Sequence, residues 1–183
     1  MSSAKPSLTV ITPTIGRACL DRQIEAIAAQ EGGIEIFHLL IWDDYRSPEA
    51  RSPESYNSST RFSLVAPPGS GRNEAAPGGI LRAIGLMAAR TDLVTFADDD
   101  VWWEPDHAAS LVECLAGGHR WGSSLRKIWT PDLQYLGVDR FESVGDDPSR
   151  VVPYEMCDNN VMVFERELGV HAAFRYRMPT EYN

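Results

Sequence analysis

Lysine is scarce in this chain. Of 17 basic residues only Lys5 and Lys127 are lysines; the rest are arginines, set against 26 acidic residues for a net charge of −9. No basic stripe is available to displace counterions, which argues against nonspecific nucleic-acid binding. No apolar run approaches the ~18 residues that span a bilayer, and Met1–Ser7 carries no hydrophobic signal region. A cytoplasmic protein without a transmembrane segment is expected. Cysteine is limited to Cys19, Cys114 and Cys157, too few and too far apart for a disulfide framework or a zinc cluster. Buried thiols are the expectation. Internal repeats and low-complexity tracts are absent too. With 183 residues, 43% of them hydrophobic, the chain can build one domain around a sizeable core.

The stretch that organises the rest is Leu93–Val94–Thr95–Phe96–Ala97, which runs straight into Asp98, Asp99 and Asp100. Its β-branched and aromatic residues read as a buried strand. Ligands of open α/β sheets collect beyond the carboxyl ends of strands, where these aspartates should emerge. Adjacent anions repel by ~4 kcal/mol per pair at ~4 Å and an effective dielectric near 20. A divalent cation on oxygen ligands would reverse that penalty. The same run also reads as a solvated acidic turn, where salt screens the repulsion. The strand before it, and Pro105 at a helix start after it, favour the metal site.

Taken in order, Leu8–Thr12 reads as a first strand stopped by Pro13. A helix over 18–30 follows, with Leu20, Ile24, Ile27 and Ala28 on one face, and Gly32–Gly33 ends it. Ile36–Trp42 is a second strand running into Asp43 and Asp44, so strand, helix and strand form a parallel βαβ unit. Arg46–Thr60 reads as a mobile surface loop, Phe62–Val65 as a short third strand, and Ile80–Ala89 as a helix projecting Arg82. Beyond the central strand, a helix carries Ala108, Leu111, Val112 and Leu115 and ends at Gly117–Gly118. Arg126–Trp129 and Leu133–Val138 form a strand pair; 139–149 is acidic and loop-like; Asn160–Phe164 is a strand and Glu165–Arg175 a helix.

Four pieces, in order, resemble the nucleotide-binding part of a GT-A glycosyltransferase, family 2-like in short form. They are Val10–Thr14 with Arg17, Ile41–Asp44, Arg82–Ala88, and Phe96–Asp100 followed by Pro105. The resemblance implies an α/β fold of the GT-A type, with a mostly parallel open sheet flanked by helices. It implies one domain over 1–183, with a nucleotide-sugar-binding part over 8–115 and an acceptor-side part over 119–183. Carried over, Thr12, Pro13, Thr14 and Arg17 correspond to the loop that packs on base and ribose. Asp44 corresponds to the carboxylate that accepts from the base N–H, favouring uracil. Arg82 corresponds to an arginine near the phosphates, although Ala83 stands where an Asn is usual. Asp98 and Asp99 would reach ribose or metal-bound water, and Asp100, with Asp98, would hold Mn²⁺ or Mg²⁺ against a diphosphate.

Each role has a plainer rival. Asp43 reads first as a turn cap, Arg82 equally as a solvated helix residue, and His38 as a core histidine with its hydrogen bonds satisfied. Trp102 and Trp103 read as a sugar platform or as core. His107 reads as exposed at a helix start. A family base, usually in a Glu–Asp pair, leaves two candidates here, Asp158 and Glu181. The leading expectation is an inverting, metal-dependent transfer from a UDP-sugar to an unspecified acceptor, with a homodimer able to complete the acceptor cleft. A nucleotide-sugar-binding domain with little turnover is the alternative. Nucleotidyl transfer ranks last, because no Gly-rich Arg/Lys signature follows the first strand.

Overall fold

A strand enclosed on both faces shows no alternation, and the first one here is of that kind. Every residue of β1 (Ser7–Thr14) after Ser7 is buried. The computed structural model describes residues 5–44, 46–48, 50–70, 78–139, 141–144 and 157–175. Within them follow α1 (Leu20–Ala28), β2 (Glu35–Trp42), β3 (Arg61–Val65), α2 (Gly79–Ala88), β4 (Leu93–Phe96) and α3 (His107–Glu113). Then come β5 (Trp121–Ser123), β6 (Arg126–Trp129), β7 (Tyr135–Asp139), α4 (Phe141–Val144), β8 (Met162–Glu165) and α5 (Arg166–Arg175).

Six strands make one sheet in the order β3-β2-β1-β4-β8-β5, while β6 and β7 pair separately. The first four are parallel, with Thr14 beside Trp42 and Ile11 beside Phe96. β8 runs antiparallel between β4 and β5. Successive side chains serve opposite faces. Ile11 packs with Leu81, Leu86 and Phe164 under α2 and α5, whereas Leu8 and Val10 pack with Ile27, Ala108 and Leu111 under α1 and α3. The result is a three-layer α/β/α arrangement, and α2 lies very close to the sheet. A Cβ added at Gly85 would come 2.3 Å from Ile11 Cγ2.

Pro13 does not stop β1, which continues through it to Thr14. The Ile11 carbonyl accepts from Ala97 on the β4 side, and the Thr14 carbonyl accepts from Asp43 on the β2 side. Backbone groups alternate, so the position of Pro13 faces β4 where that strand has already ended. The missing N–H costs no ladder bond there. The stretch expected as a mobile loop contains a 3₁₀ turn, Pro53–Tyr56, whose Tyr56 ring is 5.4 Å from Trp42. The acidic segment after Asp139 begins with the short helix α4, and 145–149 lie outside the described residues. All three cysteines are free. None is fully buried as expected: Cys19 and Cys157 are half-buried, and Cys114 is exposed, because it sits at the C-terminal cap of α3, past the buried Ala108 and Leu111. No described helix is long and apolar enough to cross a membrane.

Candidate functional site

Parallel strands end on a common edge, and here that edge collects charge. β1 delivers Thr14 and, three residues on, Arg17; β2 delivers Asp43 and Asp44; β4 delivers Asp98, Asp99 and Asp100.

The three aspartates point to different partners. Asp98 is ion-paired with Arg82 from the first turn of α2. Its backbone N–H donates to Asn160 Oδ1 at 2.7 Å, and Asn160 Nδ2 donates to Asp98 Oδ2 at 3.1 Å. Asp99 is 1% exposed. It accepts from the Thr14 hydroxyl at 2.6 Å and from Arg17 Nε at 2.8 Å. Asp100 is the open member, with its side chain 52% exposed and Arg17 Nη1 at 3.1 Å from Oδ2. The hydrogen bond to Asp99, with the field of Asp99 and Asp100, raises the Arg17 pKa above its ordinary value, so the guanidinium stays charged. Repulsion within the run is therefore offset by two arginines on the chain itself. Arg82 is no solvated helix residue, since only 14% of its side chain is exposed.

Thr12 lies deeper. It is fully buried, and its hydroxyl accepts from Gln23 Nε2 at 2.7 Å and lies 2.9 Å from His38 Nε2. His38 is the satisfied core histidine expected. Burial, aided by Arg61, lowers its pKa to about 3, so the ring is neutral. Pro13 is buried next to the start of α2, where a Cβ at Gly78 would come 3.6 Å from Pro13 Cβ. Asp43 is buried just past the end of β2, and Asp44 is half-buried beside it.

A cleft of ≈ 430 Å³ opens beyond Asp100, between the segment leading into α3 on one side and β6 with residues 158–161 on the other. Both tryptophans border the cleft: Trp103 belongs to the core, 6% exposed, and Trp102 lies under the guanidinium of Arg22, 3.9 Å from its ring centre. His107 is not exposed at the helix start. Its ring packs 4.8 Å from Trp103, and burial lowers its pKa to about 4. Asp158 is engaged on both oxygens. Oδ2 accepts from Arg126 Nη1 at 2.6 Å, and Oδ1 accepts from Asn160 N at 2.9 Å and Nδ2 at 3.0 Å. Glu181 lies outside the described residues.

Gln23 escapes a reading of the chain in order, and Asn160, which that reading offers with Asn159 to sugar or acceptor hydroxyls, is a brace of the aspartate loop. Gln23 spans from the Thr12 hydroxyl to the Ala97 carbonyl at 3.1 Å, and Asn160 holds Asp98. A polar residue on the apolar face of α1, between Leu20 and Ile24, is the available signal for Gln23. Asn160 gives none without knowing that β8 lies beside β4.

Among the described residues, no three His, Cys, Asp or Glu side chains converge to hold a metal by themselves. The donor set still suits a hard dication that shares its shell with a substrate. Asp100 offers carboxylate oxygen with an open face, and Mg²⁺-type sites commonly combine one or two carboxylates with phosphate oxygens.

Neither a protein-family model nor a curated protein sequence matches this chain. Solved structures do. S. aureus TarS 1-349 superposes with a TM-score of 0.61 at 15% identity, over 88% of this chain and 48% of that one. The same protein in complex with UDP-GlcNAc gives 0.59 at 16% identity, over 88% and 46%. The mannosyltransferase PcManGT from Pyrobaculum calidifontis, in complex with GDP-Man and Mn²⁺, gives 0.61 at 18% identity, over 93% and 47%. The chain thus spans under half the length of these structures. The likeness defines the fold as that of the GT-A glycosyltransferases, with its mostly parallel six-stranded sheet between helices.

Proposed function

We propose that this chain binds a nucleotide-sugar donor, a UDP-sugar foremost, at the shared edge of β1, β2 and β4, and serves an inverting, metal-dependent glycosyl transfer. One observation carries the reading. Arg17 and Arg82 hold Asp99 and Asp98, while Asp100 is left open on the strand edge where Asp43 and Asp44 also emerge. An acidic chain thereby presents two fixed guanidinium groups to an anionic ligand, the residue type suited to phosphate. UDP, UDP-GlcNAc and GDP-Man with Mn²⁺ appear in the structures that share the fold.

In this reading Asp44 accepts from the base N–H and the Thr14–Arg17 loop borders base and ribose. Arg82 stands by the phosphates and keeps Asp98 in place. Asp100, with Asp98 beside it, would hold Mn²⁺ or Mg²⁺, which supplies Lewis-acid charge for the departing diphosphate. Asp158, as the base, must exchange Arg126 for the acceptor hydroxyl; Glu181 is the other candidate. Calorimetry with UDP and Mn²⁺ tests the donor site. Binding is expected for the native chain and lost in Asp100→Ala; equal heats in the two would overturn the assignment.

The engagement of both Asp158 oxygens favours a second reading, a nucleotide-sugar-binding module with little turnover. Incubation with Mn²⁺ and UDP-sugars, with and without glycan acceptors, separates the two. Donor binding without UDP release supports the second.

A further inference from the structure

The antiparallel register that sets Thr95 of β4 beside Val163 of β8, carried three residues further, brings Asp98 opposite Asn160. Strand pairing ends before that point, where Asn159–Val161 form a 3₁₀ turn. The Asn160 side chain takes over from the ladder. Its Oδ1 accepts from the Asp98 N–H at 2.7 Å, and its Nδ2 donates to Asp98 Oδ2 at 3.1 Å. The same Nδ2 donates to Asp158 Oδ1 at 3.0 Å, and that oxygen caps the turn by accepting from the Asn160 N–H at 2.9 Å. Asp158 is anchored in turn at Oδ2 by Arg126, which also donates to Asp139 at 2.8 Å. One unbroken chain of polar contacts therefore runs from Arg126 on β6, through Asp158 and Asn160, to Asp98 and Arg82.

We propose that Asp158 is a positioning residue of the donor site, which acts through Asn160 to set the Asp98 carboxylate. The inference rests on the donor reading above and gives Asp158 a task other than proton transfer. The last torsion of an asparagine is soft, so its partners decide which way the amide faces. Asp158 Oδ1 holds Nδ2 in place, and the amide oxygen is thereby left for the Asp98 N–H. Turned the other way, Asn160 would aim that oxygen at two carboxylates and meet the Asp98 N–H with a second donor. Hydrogen bonds to carboxylates are roughly twice as strong as neutral ones, and only 13% of the Asp158 side chain is open to screening water. In the donor reading Arg82 is shared between Asp98 and the phosphates, so the Asn160 contacts are what keep Asp98 aligned when nucleotide is bound.

A base that serves only the acceptor takes no part in binding UDP, whereas a positioning residue does. The test is therefore calorimetry of the full chain with UDP and Mn²⁺ and no acceptor, with thermal unfolding to check the fold of each variant. Asp158→Ala should weaken UDP at least tenfold. Asp158→Asn should stay within threefold of the native chain, because an amide oxygen still accepts from Asn160. Asn160→Ala should weaken UDP as Asp158→Ala does, and adding Asp158→Ala to it should cost less than a further twofold. Where Asp158→Ala fails to fold, Asp158→Ser replaces it: the hydroxyl still caps the turn at the Asn160 N–H but is too short to hold Nδ2, and the same tenfold loss is expected. Native affinity in the folded Ala or Ser variant, an equal loss in Asp158→Asn, or multiplying losses in the double variant would overturn the proposal. Failure of UDP to bind the native chain is a different result, which would overturn the donor reading and this role with it.

Discussion

Thr14 and Asp99, 85 positions apart, share a 2.6 Å hydrogen bond that ties the end of β1 to the loop after β4. The same threonine hydroxyl accepts from the Gly16 N–H at 2.8 Å, and Arg17 closes on Asp99 from the other side. Asp99 thus works inside the protein, and its neighbour Asp100 faces out.

Replacing Asp99 should therefore cost stability where replacing Asp100 does not. Asp99→Ala leaves the Thr14 hydroxyl without its acceptor and removes a buried charge partner, at about 2 kcal/mol; Arg17 is half in water, which holds the figure to the low end. Asp100→Ala should stay within about 0.5 kcal/mol. Urea midpoints of the two variants compare them, and equal midpoints would contradict the division of labour.

Gly85→Ala should destabilise, although alanine is worth up to about 1 kcal/mol over glycine in a helix. The added methyl lands 2.3 Å from Ile11 Cγ2, and overpacking of that kind costs about 1–3 kcal/mol. In thermal unfolding, a double variant with Ile11→Ala should lose less than the two single changes summed. Simple additivity would place α2 farther from the sheet.

His38 makes stability depend on pH. Its pKa is lowered from 6.5 to about 3 by burial, so between those values the unfolded chain binds a proton that the folded one does not. Stability then rises with pH across that window and is lost as pH falls from 6.5 toward 3. His107 adds a weaker contribution of the same sign, from 6.5 down to about 4. Urea unfolding at stepped pH should show a shallower acid loss in His38→Gln than in the native chain; parallel curves would assign the acid limb to other groups.

Arg82→Ala should weaken UDP at least tenfold in Mn²⁺, with Arg82→Lys in between, because a point charge does not replace a planar fork that also holds Asp98. Calorimetry reads it. Unchanged affinity in both would leave Arg82 as a brace of the loop alone.

The strand ends are legible in the sequence because apolar runs that break into carboxylates are a local signal. Leu93–Ala97 before Asp98, and Ile36–Trp42 before Asp43, place the edge correctly. The answer to the charge is not legible. Arg17 reaches Asp99 over 82 positions and Arg82 reaches Asp98 over 16, distances at which local pattern carries nothing. Pro13 is misread because its missing donor matters only where a neighbouring strand persists. His107 is misread because nothing local shows Trp103 folding over it. Asn160 stands in a segment that reads as a strand, but that strand's antiparallel place beside β4 is decided by the whole sheet.

The interleaving of β8 between β4 and β5 has a further consequence for dissection of the protein. A fragment ending near 115 would retain Arg17, Arg82 and all three aspartates yet bare the flank of β4 and release Asp98 from Asn160. Excision of the front half should produce a sticky, self-associating polypeptide, so the two portions of the chain are better treated as one inseparable unit.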